Sequence, residues 1–367
     1  MEEKGRFEIL VCPENGDGVH NHIMKMVEAG VSGIKLETRE VPHVESAVEL
    51  LLDGHGDMVA VSGSWWYANR SKDLDASIIL PRREPTRVLV SEDKPEYIPF
   101  KGIVIADCEI VRRQFIRARP DVKVKLIEDF DVPEGVDHIS WMEDERLAGR
   151  IDGYILPRSV HANLSFRTRR HTLGLQRDNP ERYRFVPIPL DGYTILLSRK
   201  DFPAKSFSQV VDAGAAVSLR LEMMLLDNID EKMHDLIGLM VERRKVGTVL
   251  REASKAGDDL ANRSIINPKG EVKGSSNRID IVLETISKDG TITASVERVF
   301  SPEESHSSTI VLINEWENLL EIMRETPEEE KRGRIKELMD IYTNGLIEDG
   351  RISEDRINEP LFKSDDH

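Results

Sequence analysis

Short apolar runs alternate with helix-period stretches along the first half of the chain, and this alternation limits the fold more than any other feature. Residues 7–11 form an apolar run, followed by a Pro-Glu-Asn-Gly-Asp-Gly turn and a helical pattern through Ile23, Met24 and Val27. Residues 33–41 read as a strand, 44–52 as a helix and 58–61 as a buried strand. A second unit starts near Lys101, with strands at 102–106, 122–127 and 154–156 and a helix at 111–117. This order predicts parallel α/β sheets. Residues 185–199 read as a crossing back to the first unit. Beyond them, residues 221–267 read as helical, with Ile229, Met233, Leu236, Ile237 and Met240 at helix spacing. Residues 278–300 read as a hairpin around a Lys-Asp-Gly turn.

A chain of 367 residues exceeds one ordinary core, so two or three domains are expected. No apolar run approaches the roughly 20 residues needed to span a bilayer, and the start MEEKGRFEILVC has no apolar segment of the secretory kind. A cytoplasmic location and no membrane contact are expected. Two cysteines, Cys12 and Cys108, are too few for a disulfide framework. The formal charge of -16 argues against nucleic acid as a partner. Basic side chains nevertheless gather as Arg82, Arg83 and Arg87, as Arg112, Arg113, Arg117 and Arg119, and as Arg167, Arg169 and Arg170. Such clusters suit an anion.

Other chemistry is sparse. The histidines form no HExxH, and His20 and His22 point to different helix faces, so no metal site is expected. Gly16 and Gly18 lack a full dinucleotide or phosphate-loop pattern, and CxxC is absent. Trp65 and Trp66 are open to two readings, stacking on a flat ligand or packing beside a strand end. Cys12 and Cys108 each follow the first strand of a unit, where strand ends border the ligand crevice of open α/β sheets. A thiol at a helix N-terminus can have a lowered pKa, which makes both candidates for a covalent anchor. Residues 326–367 are rich in Glu, Lys and Arg, with Ile335, Leu338, Met339 and Tyr342 at helix spacing. They are candidates for an added docking helix or a partly ordered end.

Three stretches carry a family resemblance. The segment DMVAVSGSWWYANRSKDLDASIILPRREPTRVLVS, residues 57–91, resembles the stretch of hydroxymethylbilane synthase (porphobilinogen deaminase) that opens DIAVHSLKDVP and closes near LPREDPRDALVS. Asp57, Ser62, Pro81, Arg82, Pro85, Leu89, Val90 and Ser91 fit it. ADCEIVRRQFIRARPDVKV is similar to the family's GTSSLRRQAQLLALRPDLEV through Arg112, Arg113, Gln114, Arg119, Pro120, Asp121 and Val124. Pro187, Gly192 and Arg199 fit the family's return turn and strand, where Leu190 and Asp191 replace a Gly-Gln.

The resemblance implies two type II periplasmic-binding-protein-like α/β domains around a hinged cleft, with a smaller α+β C-terminal domain. The boundaries expected are 1–98 plus 189–203, 99–188 and 204–325, with a charged tail at 326–367. It implies a role in tetrapyrrole and haem biosynthesis, a dipyrromethane cofactor, and a ligand site at Arg112, Arg113, Ser62, Ser64, Trp65, Arg82 and Gly192. The family's Lys and catalytic Asp fall on Ser64 and Trp65, and an indole has no titratable group to inherit that role. No Cys follows Cys108, so the family's cofactor anchor is missing, and the acidic residues 127–135 stand where the family has further arginines. Three readings follow. One is a divergent synthase using Asp107, Glu109 or Asp191. Another is a non-catalytic cleft protein binding a pyrrole, a tetrapyrrole or another polyanion, with a protein partner possible through the tail. The last is unrelated small-molecule chemistry on the same fold.

Overall fold

The computed structural model describes residues 5–13, 16–165, 168–177, 183–257, 263, 265–267 and 269–324. Arg167 and the tail 326–367 lie outside them. The chain divides into two compact units, 1–315 and 316–367.

The first unit opens as its sequence pattern requires: β1 (Gly5–Val11), α1 (Val19–Ala29), β2 (Ile34–Glu40), α2 (Val44–Leu52), β3 (Met58–Ser62), α3 (Gly63–Ala68) and β4 (Leu74–Ile79). The chain then crosses to β5 (Arg87–Ser91) and continues through β6 (Ile103–Ala106), α4 (Glu109–Ala118), β7 (Lys123–Leu126), α5 (His138–Leu147), β8 (Gly153–Pro157), α6 (Arg158–His161) and β9 (Arg170–Leu173). It returns in β10 (Thr194–Arg199). One sheet has the order β2-β1-β3-β10-β4 and the other β7-β6-β8-β5-β9. In each, the second strand pairs parallel with both neighbours and the fourth antiparallel with both of its own. The fourth strand is supplied from the opposite lobe. Met58–Val61 and Val88–Val90 are buried on both faces, as central strands covered by helices must be.

Two equal sheets exchanging one strand each, joined by two crossings, make a pair of type II periplasmic-binding-protein-like lobes around a cleft. The strand Arg87–Ser91, placed with the first lobe by the sequence, pairs in the second sheet, so the first crossing occupies 80–86. A reading by alternation cannot see this, because an apolar strand carries no label for the sheet it joins.

The two crossings are fastened to each other. The Leu80 amide donates to the Thr194 carbonyl at 3.1 Å and the Arg83 amide to the Gly192 carbonyl at 2.9 Å. Gly192 has a φ of 82°, and a Cβ there would lie 2.5 Å from the Arg83 carbonyl oxygen. The resemblance at Gly192 thus has a backbone reason.

Downstream come α7 (Ala213–Leu226), β11 (Ile237–Lys245), α8 (Val246–Ala256), β12 (Asn277–Ile286), β13 (Thr293–Phe300) and α9 (Ser305–Arg324). Strands β11, β12 and β13 form an antiparallel sheet, the α+β third part that was expected. The helical reading of 221–267 is corrected here. Ile237 and Met240 lie in β11, while Met233 and Leu236 lie in a six-residue 3-10 segment before it. Their spacing matched a helix by coincidence, since a short apolar run fits either period. No helix among the described residues is long and apolar enough to cross a membrane.

His22 on α1 carries a pH signature. Its Nδ1 lies 3.0 Å from Thr194 Oγ1, and burial, with Arg83 and Lys25 nearby, pushes it down to about 4. The folded ring resists the proton that the unfolded chain accepts near 6.5. Stability held above pH 6.5 is therefore lost as the pH falls toward 4, by about 2 kcal/mol after solvent screening. Urea titrations across that range should show the loss, and His22→Asn should remove it; an unchanged slope in the variant would rule His22 out.

Candidate functional site

The C-terminal ends of β3 and β6 face the crossings, and their loops build the cleft. At the end of β3, Ser62 caps α3 by accepting from the Trp65 amide at 3.3 Å, and its hydroxyl lies 3.2 Å from Ser64 Oγ. The Trp65 indole N–H donates to Glu45 Oε1 at 3.0 Å, and Trp66 is buried. The Trp65 bond lies within the first lobe and involves only the indole N–H, so both readings of its ring, stacking and packing, stand.

At the end of β6, Glu109 opens α4 and takes both members of the arginine pair. Arg112 bonds it through Nε at 2.6 Å and Nη2 at 2.8 Å, and Arg113 through Nε at 2.6 Å. Arg113 Nη1 also donates to the Ile286 carbonyl at 2.8 Å, tying α4 to the third sheet. These guanidinium groups hold the Glu109 carboxyl below the usual range. Arg117, one turn on, bonds Glu284 and the Arg184 carbonyl. The sequence showed these arginines as a basic cluster, but not that their helix meets a sheet from the far end of the chain.

The crossings hold two buried ionic groups. Arg87, 3 % exposed, bonds Asp107 at 3.1 Å and also Asp191. Arg82 bonds Glu222 at 2.7 Å and the Asp191 carbonyl at 2.8 Å, and its guanidinium lies 4.1 Å from the centroid of the Tyr193 ring. Glu222 is fully buried, and the amides of Leu190 and Val241 and the Tyr193 hydroxyl also donate to it. Burial pushes its carboxyl up, but the four donor groups around it hold the charged form. The predicted ligand residue Arg82 is thus a structural latch. Glu222 was missed because it lies on a helix whose pattern reads simply as apolar.

Between these groups lies a cavity of about 450 Å³ lined by residues of both lobes, the second crossing and the third part. Ser64 and Tyr67 face Asp107, Cys108 and Glu109 across it, with Leu190 and His234 completing the wall. Of the predicted site residues, Ser64 and Cys108 meet here, whereas Ser62, Trp65, Arg82, Arg112, Arg113, Gly192 and Cys12 are not among its lining residues. A larger cavity of about 570 Å³ lies beside the edge strand β9, and its Arg119 is bound to Asp121 and to two carbonyls. The interlobe cavity is the candidate site, because the loops at the strand ends converge on it.

The cysteines correct a further expectation. Burial, aided by Asp17 and Glu45, pushes the Cys12 thiol up to about 11, and burial with Asp107 pushes Cys108 up to about 12 against the pull of Arg87. Both shifts oppose the lowered pKa expected of a helix N-terminus. At pH 7 iodoacetamide should label folded Cys12 roughly 100-fold and Cys108 roughly 1000-fold more slowly than unfolded thiols. Peptide mass mapping measures this, and labelling at the unfolded rate would refute the assignment.

The fold and cavity define a two-lobed cleft protein. No known family description matches the chain, and no curated protein matches it. Solved structures similar to it include YhfZ from Shigella flexneri, at 15 % identity over 61 % of this chain and 91 % of that one, with a TM-score of 0.30. The reduced regulatory domain of OxyR from Pseudomonas aeruginosa is 13 % identical over 60 % of this chain and 98 % of that one, with a TM-score of 0.30. The periplasmic VFT2 domain of BvgS from Bordetella pertussis is 13 % identical over 56 % and 86 %, again with a TM-score of 0.30.

Proposed function

We propose that this chain is a non-catalytic, two-lobed binding protein for a small molecule, built on the frame of hydroxymethylbilane synthase. One observation carries this reading: each carboxylate that would replace the family's catalytic Asp is already held by arginine. Asp107 and Asp191 receive Arg87, and Glu109 receives Arg112 and Arg113. General acid–base work needs a carboxyl free to exchange a proton near neutral pH. Trp65, at the family position, donates to Glu45. The shared cavity, with an apolar wall and a few polar groups, supports ligand binding.

Cys108 favours a second reading, that of a divergent synthase, because it lines the cavity and is the one predicted anchor found there. Intact-mass spectrometry of the full chain before and after incubation with porphobilinogen separates the two. The binding reading expects an unchanged mass and no pyrrole product. An adduct growing in pyrrole-sized steps on Cys108 would overturn it.

A further inference from the structure

We propose that the interlobe cavity takes a small organic cation, a protonated amine with an apolar body. This rests on the binding reading above and narrows its ligand. Leu126, Ile188, Leu190 and Leu226 line the cavity and offer a surface for the body of such a molecule.

The charges around it balance in a particular way. Arg87 with Asp107 and Asp191 sums to one negative charge, and Glu109 with Arg112 and Arg113 to one positive charge. These cancel. Glu128 and Asp235 also line the cavity, and neither makes an ion pair among the described residues, so its wall carries two uncompensated carboxylates. Arg82, the remaining predicted cation, is bound to Glu222. A polycarboxylate would meet no unpaired arginine here and two carboxylates of its own sign.

Hydrogen bonding points the same way. His234 Nε2 lies 3.1 Å from the carbonyl oxygens of both Leu226 and Ile229. Carbonyls only accept, so Nε2 carries the hydrogen and is committed to the backbone. The cavity wall itself presents the carboxylate oxygens of Asp107, Glu109, Glu128 and Asp235 and the hydroxyls of Ser64 and Tyr67. A ligand rich in donors matches that wall, and an ammonium group supplies both donors and charge.

Calorimetric titration of the full chain with cyclohexylmethylammonium, cyclohexanecarboxylate and cyclohexylmethanol tests this. The ammonium should bind at least roughly tenfold more tightly than the carboxylate. Glu128→Gln with Asp235→Asn should weaken the ammonium by roughly tenfold and leave the alcohol unchanged, with an unaltered melting temperature confirming that these exposed sites spare the fold. Equal or tighter binding of the carboxylate, or an ammonium affinity indifferent to the double substitution, overturns the cation inference and leaves the binding reading intact. No heat from any of the three at millimolar concentration overturns both.

Discussion

Glu222→Gln is expected to destabilise the protein by about 3 to 5 kcal/mol, because it leaves the Arg82 guanidinium buried without its counter-charge. The Arg82 side chain is 10 % exposed, and Glu222 is the carboxylate it pairs with. Glutamine keeps one acceptor oxygen for the Val241 or Leu190 amide but turns an amide N–H toward the other donors. The double variant Arg82→Met with Glu222→Gln removes both charges and keeps an acceptor oxygen for the buried amides, so it should recover part of the loss. Urea denaturation of the single and double variants measures this. A loss below about 1 kcal/mol in the single variant would mean that the latch contributes little. The consequence extends beyond stability. Glu222 on α7 accepts from the Leu190 amide on the second crossing and from the Val241 amide on β11, so the substitution loosens the hinge and the third part together.

Arg87→Met should cost a similar amount, about 3 to 5 kcal/mol at pH 7, and less in acid. It strands Asp107 and Asp191, whose side chains are 16 % and 19 % exposed, with like charges facing one another. Without the guanidinium the two carboxylates repel one another. Protonation relieves the repulsion, so the penalty should shrink as the pH is lowered toward 5, the reverse of the wild-type trend set by His22. Stability curves for the two proteins between pH 5 and pH 7 test the sign. A penalty constant across that range would show that the carboxylates do not repel in the variant.

The sheets were largely legible in the sequence and their wiring was not. Runs such as Met58–Ser62 and Ile103–Ala106 read as buried strands because consecutive apolar residues fit a sheet covered on both faces. The strand Arg87–Ser91 fell within the bounds expected of the first lobe, 1–98, but its partners are β8 and β9 of the other lobe. Periodicity reports which residues are buried and carries no information on what they are buried against. The same limit misled the reading of Ile237–Lys245, whose apolar spacing fitted a helix until β12 claimed it.

The candidate site shows a sharper division. On the register of the resemblance, the sequence alone puts Trp65 where hydroxymethylbilane synthases hold a carboxyl, and it has no Cys after Cys108. A side chain's chemistry is a local property, and an indole has no carboxyl in any fold. What the arginines do was decided by tertiary structure. Arg82, Arg87, Arg112 and Arg113 are cations wherever they lie, but whether a cation can receive a ligand depends on whether a carboxylate has already reached it. Glu222 reaches Arg82 across 140 residues and Asp191 reaches Arg87 across 104, separations that only the folded chain closes.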